Sequence, residues 1–541
     1  MRGFPMRFLT LLIVSLIFLF SIGVILTIDR GWFVCLLSGF LMLVGIHDVR
    51  QTKRSILRNY PILAHFRFFF EMIRPEIRQY FLEDDTVAAP FSRNQRSIVY
   101  QRAKQELDKR PFGTQLDVYQ PGYEWINHSI SPAKVASADF RITIGPDRDQ
   151  PYSASVFNIS AMSFGALSAN AIRALNRGAE LGKFMHDTGE GSISAHHRPQ
   201  SADQAGGDLV WEIGSGYFGC RNPDGTFSAE RFIENATQAQ VKMIEVKLSQ
   251  GAKPGHGGIL PGAKVSIEIA AARGVEPGVD CVSPPTHSAF STPLGLLEFV
   301  ERLRVLSGGK PTGFKLAIGH PWEFFGIVKA MLSSGITPDF IVVDGAEGGT
   351  GAAPVEFTDH VGMPLQEALL LVHNTLVGAG LRSRIKIGAS GKIITAFDVA
   401  RTLSLGADWC NSARGFMFAL GCIQSLSCHT DKCPTGVTTQ DPLRQRALVV
   451  PDKAERVFHF HQNTLKALSE VIAAAGLTHP SQLRPHHISR RVSPNKVELA
   501  SALLEYLQPE QLLDPAALES LPDVFRTYWP IARAESFHPI H

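Results

Sequence analysis

Cysteine is scarce: the 541 residues hold seven, Cys35, Cys220, Cys281, Cys410, Cys422, Cys428 and Cys433. A thin, odd-numbered set excludes a disulfide scaffold and fits a reducing compartment. Charge of one sign is missing too. The 53 basic and 50 acidic side chains leave a net +3 without long runs, so the charge gives no support to a nucleic-acid partner. No GxGxxG follows a first strand and no GxxxxGK[ST] occurs, which leaves a Rossmann dinucleotide site or a P-loop without sequence support. Glycine (47) and proline (33) are plentiful and lie between apolar runs of strand length, the pattern of an α/β protein with many functional loops.

Long hydrophobic runs occur only at the amino end. Phe8 to Ile28 is 21 residues without a charge, long enough as a helix rising ~1.5 Å per residue to cross a ~30 Å hydrocarbon core. After Asp29-Arg30-Gly31 comes Trp32 to Ile46, a 15-residue run that needs its flanks or a thinned bilayer. The expectation is a two-helix transmembrane hairpin, residues 1–54. A cleaved signal peptide competes, but the first run is longer than such a segment, lacks a small-residue cleavage site and is followed by a second apolar run. Arg2 and Arg7 precede the hairpin and Arg50, Lys53, Arg54 and Arg58 follow it, which places both ends, and a catalytic domain downstream, on the cytoplasmic side of an inner or plasma membrane. Residues 55–150 read as a linker and helical extension. Within it Arg67 to Phe81 is amphipathic and is expected to pack on the main domain rather than on the membrane.

From residue 151 to 440, short apolar runs alternate with glycine-rich turns and helical pattern. SVFNIS, KFMHD, MIEVK, VDCVS, GFKLA, FIVVD, RIKIG and ADWCN make eight βα beginnings, with one insertion around residues 195 to 240. That predicts a (β/α)8 TIM barrel, the alternative being a doubly wound open sheet. Residues 441–541 read as a C-terminal helical extension.

The loops expected after the strands carry the unusual residues: SAMSFGALS, TGEGS, SQGAKPGHGGILPG, SPPTH, DGAEGGTGAAP and GASGK. One glycine cluster serves a turn; six on one rim point to backbone N–H groups approaching an anion. GASGK and NSARG occupy the loops after strands seven and eight, the usual phosphate site of such barrels, with Arg414 or Lys392 adding charge. Without a dinucleotide fold, the phosphate fits a mononucleotide such as FMN.

Cys422, Cys428 and Cys433 form C-x5-C-x4-C with Pro434 after the third. Buried structural thiols, a zinc site with His429 as an awkward fourth ligand, and an iron–sulfur site all remain open on spacing alone.

Taken in order, SAMSFGALS, TGEG, SQGAKPGHGGILPG, SPP.H, DGAEGGTGAAP and LGCIQSLSCHTDKCPTGVTTQ closely resemble the FMN-binding synthase domain of glutamate synthases. The resemblance implies a (β/α)8 barrel with FMN, and a 3Fe-4S cluster on Cys422, Cys428 and Cys433. It implies FMN contacts from Met162, Ser163, Gly165, Lys315, Gly348, Gly349, Thr350, Ser390, Gly391, Ser412, Arg414 and Gly415. Gln250, Lys253 and Arg273 match the family's 2-oxoglutarate positions, and two fixed cations suit a dicarboxylate. Lys253, Glu190 and Lys315 are the implied catalytic residues, Lys315 favouring the anionic reduced flavin.

Two departures stand out. His256 replaces the family's acidic residue and Ile259 its glutamine, which opens the site to a related 2-oxo acid. The family's amino-terminal glutaminase is not expected here, since Met1-Arg2 runs straight into the hairpin. The implied function is reductive amination of 2-oxoglutarate, or a related 2-oxo acid, to glutamate. Electrons would come from an external donor such as ferredoxin or a separate flavoprotein subunit. Two other readings use the same residues: a flavin oxidoreductase acting on a different oxo, imino or hydroxy acid, and a non-catalytic membrane-associated electron-transfer subunit.

Overall fold

The structure is a computed structural model that describes residues 6–540; Arg2, one of the two arginines expected before the hairpin, lies outside the described residues. The chain forms two compact units, Met1–Pro90 and Phe91–His541.

In the first unit, α1 (Leu9–Ile28) and α2 (Trp32–Arg50) form a hairpin. Both are long and apolar enough to cross a membrane. The turn needs left-handed backbone at Asp29 (φ 52°) and Gly31 (φ 94°), which glycine adopts without strain. Glycine also sets the helix contact: a Cβ at Gly39 would lie 2.8 Å from Phe18 and one at Gly45 2.5 Å from Leu11. α2 runs one turn past the expected Ile46 because Asp48 finds partners. Its buried carboxylate accepts from the Ile62 N–H at 3.0 Å and pairs with His65 at 3.0 Å. The amphipathic stretch forms α3 (Ala64–Ile77). Within this unit its aromatic face is left uncovered: Phe66, Phe69 and Phe70 are 60, 50 and 58% exposed.

The second unit is built on a closed barrel of eight parallel strands. They are β1 (Phe157–Ile159), β2 (His186–Asp187), β3 (Leu209–Ile213), β4 (Val241–Lys247), β5 (Thr312–Leu316), β6 (Phe340–Asp344), β7 (Lys386–Ser390) and β8 (Trp409–Ser412). Seven match the expected runs. The eighth does not: VDCVS holds a two-residue strand, Cys281–Val282, paired antiparallel with Ile259–Leu260 outside the barrel. The true third strand is LVWEI, inside the region expected to be an insertion. MIEVK is therefore β4, and the SQGAKPGHGGILPG and SPPTH segments both belong to the long β4–β5 connection.

Because side chains alternate along a strand, every second residue points into the barrel. At the strands' amino ends these residues are apolar. Met185, Val210, Met243, Phe340, Val342 and Trp409 form one buried cluster with Ile144 and Tyr152 of an antiparallel hairpin (Arg141–Ile144 with Tyr152–Ser155). Two residues further on they become Asp187, Glu212, Glu245 and Asp344. The barrel is thus dry at one end and charged at the other, where the βα loops lie and barrel enzymes place their chemistry. Gly388 makes room for Trp409, since a Cβ there would sit 2.4 Å from the indole. Gly388→Ala is expected to lower stability by about 1–3 kcal/mol through overpacking, read as a downward shift of the thermal unfolding midpoint of the full chain.

Around the barrel, α4 (Ala169–Gly182) packs closely with the long α8 (Val450–Ala474), their contact made at Gly178 against Val457. α8 is therefore part of the barrel's outer helical layer. The C-terminal region is not wholly helical: Ile488–Ser493 and Lys496–Leu499 pair antiparallel, and the first also pairs with Glu124–Ile126. Three further helices frame the site: α5 (Ile267–Arg273), α6 (Leu365–Gly378) and α7 (Arg414–Leu420).

Candidate active site

Two charge clusters occupy the mouth. The first lies among the barrel strands. The Lys315 ammonium of β5 is bonded to Glu212 of β3 and stands 3.5 Å from Oε1 of Glu245 on β4. Ligand oxygens of Asp187, Glu212 and Glu245 all fall within 4.8 Å of one another. That spacing would suit a divalent cation, but the lysine already supplies positive charge there. Burial raises the Glu245 pKa well above the ordinary value, and the neighbouring Asp187 and Asp344 raise it further; burial also raises Asp187, with Lys315 opposing. Lys315, expected beside a flavin ring, is thus held by two carboxylates that the sequence reading did not pick out. Part of the signal was present: Glu245 and Lys247 are charged residues two apart inside the apolar run MIEVK, so they alternate to one face.

The second cluster is built by the loops. Glu190, after β2, pairs with Lys247 of β4 at 3.1 Å. Burial raises the Glu190 pKa, but Lys247, then Arg273 and Lys253, prevail and hold the carboxyl below the ordinary range. Lys253 is buried and donates to the Gly257 carbonyl at 3.0 Å; burial lowers its pKa, Lys247 adds to this and Glu190 opposes it. Arg273, at the end of α5, is buried, donates to the Phe164 carbonyl at 3.0 Å and sits 5.2 Å over the Phe218 ring. Its guanidinium would be 3.0 Å from a Cβ on Gly191 and 3.3 Å from one on Gly165. Glu190, Lys253 and Arg273 are therefore brought together, against the β1 loop that holds Met162, Ser163 and Gly165. Lys247 belongs with them and was missed. The Gln250 backbone carbonyl accepts from Lys253 N. His256 turns to the Gly257 carbonyl at 2.9 Å and meets the Phe357 ring edge-on, while Ile259 is 42% exposed.

Around the remaining rim, Ser163 accepts from Gly191 N at 3.2 Å, tying the first two loops together. Ser390 bonds the Asp344 carboxylate and Ser412 donates to the Ile393 carbonyl at 2.6 Å. A Cβ on Gly348 would lie 3.2 Å from Ala252 N, on Gly349 2.7 Å from Arg414, on Gly391 3.0 Å from Leu365, and on Gly415 2.5 Å from Ser412. Thr350 is exposed. Arg414 donates to the Glu347 carbonyl at 2.9 Å and lies 4.9 Å over the Phe91 ring. Lys392 holds left-handed backbone, φ 54°.

The cysteine loop leans on this rim. A Cβ on Gly351, next to Thr350, would touch Cys428 at 3.3 Å. Buried Lys264 donates to the Cys428 carbonyl at 3.0 Å, and Tyr100 to the Cys422 carbonyl at 2.6 Å. All three thiols are free. Burial pushes the Cys422 thiol up to about 12. At Cys433 burial also works against ionisation, but hydrogen bonds from Thr435 and Thr438 prevail and bring it down to about 7. Gln424, Leu426 and Asp431 hold left-handed backbone at φ 59°, 56° and 62°. Three such non-glycine residues in one short loop mark strain that the surroundings impose, as at functional sites.

A closed parallel barrel whose charged side chains gather at the carboxyl ends of its strands, beneath glycine-rich loops, has the architecture of a barrel enzyme. The chain belongs to the glutamate synthase family: residues 136–478 match the conserved region in glutamate synthase. It is similar to the glutamate synthase large subunit-like protein YerD of Bacillus subtilis, 38% identical over 83% of this chain and 92% of that protein. It is also similar to the archaeal glutamate synthase [NADPH] of Methanocaldococcus jannaschii, 33% identical over 70% of this chain and 69% of that one. Among solved structures, a mutant flavocytochrome b2 with pyruvate bound aligns over 88% of this chain and 96% of its own, at 14% identity and a TM-score of 0.43. The family assigns the chain to the oxidoreductases acting on CH–NH2 donors, with an activity of glutamate synthase type.

Proposed function

We propose that the chain is an FMN- and iron–sulfur-dependent oxidoreductase that reductively aminates 2-oxoglutarate, or a related 2-oxo acid, to the amino acid. Its electrons come from an external donor such as ferredoxin or a separate flavoprotein subunit. The hairpin of α1 and α2 holds it at the inner or plasma membrane with the barrel in the cytoplasm. The observation that carries the reading is the gathering of Lys247, Lys253 and Arg273 around Glu190, beside the β1 loop. Three cations against one carboxylate leave a positive surplus that suits a dicarboxylate.

The donor set and the space support FMN and a 3Fe-4S cluster. At Gly165, Gly349 and Gly391 a Cβ would crowd Leu260, Arg414 and Leu365, so glycine lets the rim loops pack closely around the mouth where a cofactor would lie. Cys422, Cys428 and Cys433 sit on one strained loop against that rim, with thiolate character favoured at Cys433. When bound, the two groups supply electron transfer and a hydride donor. The chain's own residues do the rest. Arg273, fixed by the Phe164 carbonyl, orients a substrate carboxylate. Lys253, made less basic by burial, holds or releases a proton at Nζ. Glu190 stays ionised and keeps Lys247 in place. The replacement of two polar family positions by His256 and Ile259 supports the related-oxo-acid form of the proposal.

The test is spectroscopic and thermodynamic. Purified protein is expected to show flavin bands with a broad brown absorbance and to bind 2-oxoglutarate. Arg273→Gln is expected to weaken that binding by about 10- to 150-fold, the equivalent of a charged hydrogen bond of about 1.5–3 kcal/mol. A colourless, zinc-containing preparation would overturn the cofactor assignment, and unchanged affinity in the variant would overturn the substrate site.

A further inference from the structure

Within the first unit, α3 and the turn after it present an aromatic face that the hairpin helices leave uncovered. Phe66, Phe69, Phe70, Ile73 and Ile77 recur at helical spacing, and Phe81 in the π-helical turn Arg78–Leu82 continues the stripe. Phe70 is 58% and Phe81 82% exposed. On the same helical projection Arg67, Arg74 and Arg78 line one flank of the stripe, and between residues 50 and 78 seven Lys and Arg stand against two Glu. Aromatic rings bordered by arginines able to extend towards headgroups are the composition of a helix lying in a membrane interface.

The start of α3 is fixed at one level. Asp48, in the last turn of α2, takes the Ile62 N–H and the His65 ring, each at 3.0 Å. Ile62 also packs against Gly45 of α2. The helix therefore begins where the second candidate span ends, and it does not pack lengthwise on either hairpin helix.

We propose that α3 and its following turn form an in-plane anchor lying on the anionic lipid surface of the leaflet from which α2 emerges. This rests on the reading that the hairpin spans the bilayer. Each cationic side chain near an anionic surface contributes about fivefold to binding, from ~1 kcal/mol apiece, and the aromatic face adds apolar burial.

Full-length protein carrying a benzophenone photo-crosslinking residue in place of Ile17, Phe70 or Glu71 would be reconstituted into phosphatidylcholine vesicles with or without phosphatidylglycerol, irradiated and weighed by mass spectrometry. Expected are lipid adducts at positions 17 and 70 and a much weaker one at 71. The adduct at 70 should rise severalfold with phosphatidylglycerol, and R67Q, R74Q and R78Q together should abolish that rise. A lipid adduct at 17 with protein cross-links or none at 70 would overturn the in-plane anchor while leaving the hairpin in the bilayer. No lipid adduct at 17 would overturn the spanning hairpin and the anchor with it.

Discussion

Replacing Lys315 with methionine is expected to destabilise the barrel by about 3–5 kcal/mol, because breaking one side of a buried ion pair leaves an uncompensated charge behind. The ammonium is bonded to Glu212 and lies 3.5 Å from Glu245, all three side chains being buried. Without it, three carboxyl groups share a space in which their oxygens are within 4.8 Å. Removing the charge on both sides tests the cause: Lys315→Met with Glu212→Gln should recover most of the loss. A pH series adds a second check. Burial, then Asp187, already raises the folded Glu245 pKa above its ordinary 4.5. The folded state therefore keeps a proton that the unfolded chain has released, and stability falls as pH rises from about 4.5 through the raised value. Losing the lysine strengthens that fall, and Glu245→Gln should flatten it. Thermal midpoints of the four proteins across the acid-to-neutral range decide the matter. Equal midpoints for wild type and Lys315→Met would mean that the lysine is not the cluster's counter-charge.

The second large effect concerns electron entry. Cys433→Ser is expected to remove the broad iron–sulfur absorbance and most of the protein-bound iron while leaving the flavin bands. Reduction of the flavin by a protein donor should then fall to background, whereas dithionite still bleaches it. Cys433 is the informative choice because Thr435 and Thr438 favour its thiolate, the form that binds iron. Cys220 and Cys410, both buried, have their thiol pKa values pushed far up by burial; Cys220→Ser should leave the iron content unchanged. Iron retained in Cys433→Ser would contradict the ligand assignment.

The architecture was largely legible because seven barrel strands are apolar runs bounded by turns. The error has a physical origin. LVWEI is buried on both faces and only five residues long, so it shows no clean alternation, and its neighbours Gly206, Gly207 and Gly214 blur it into a loop. VDCVS has the right composition, but its two-residue strand pairs locally across the β4–β5 connection. The loop residues of the site could be read from their motifs, since glycine runs and cysteine spacing are local signals. The strand carboxylates Asp187, Glu212 and Glu245 could not be grouped that way. Their proximity exists only once the barrel closes and puts β2, β3, β4 and β5 side by side. Lys247 was overlooked for the same reason, because its partner Glu190 lies on a different loop.

The most direct test of the proposed chemistry is anaerobic reoxidation. Chemically reduced holoprotein, mixed with 2-oxoglutarate and nitrogen-15-labelled ammonium, is predicted to regain its oxidised flavin spectrum and to yield labelled glutamate in proportion. Arg273→Gln should do so only at much higher oxo-acid concentration. If 2-oxoglutarate with ammonium leaves the flavin reduced while another oxo acid reoxidises it, the glutamate assignment is contradicted. If no small oxo, imino or hydroxy acid does so, the proposed catalytic role of Lys253 and Arg273 is contradicted as well.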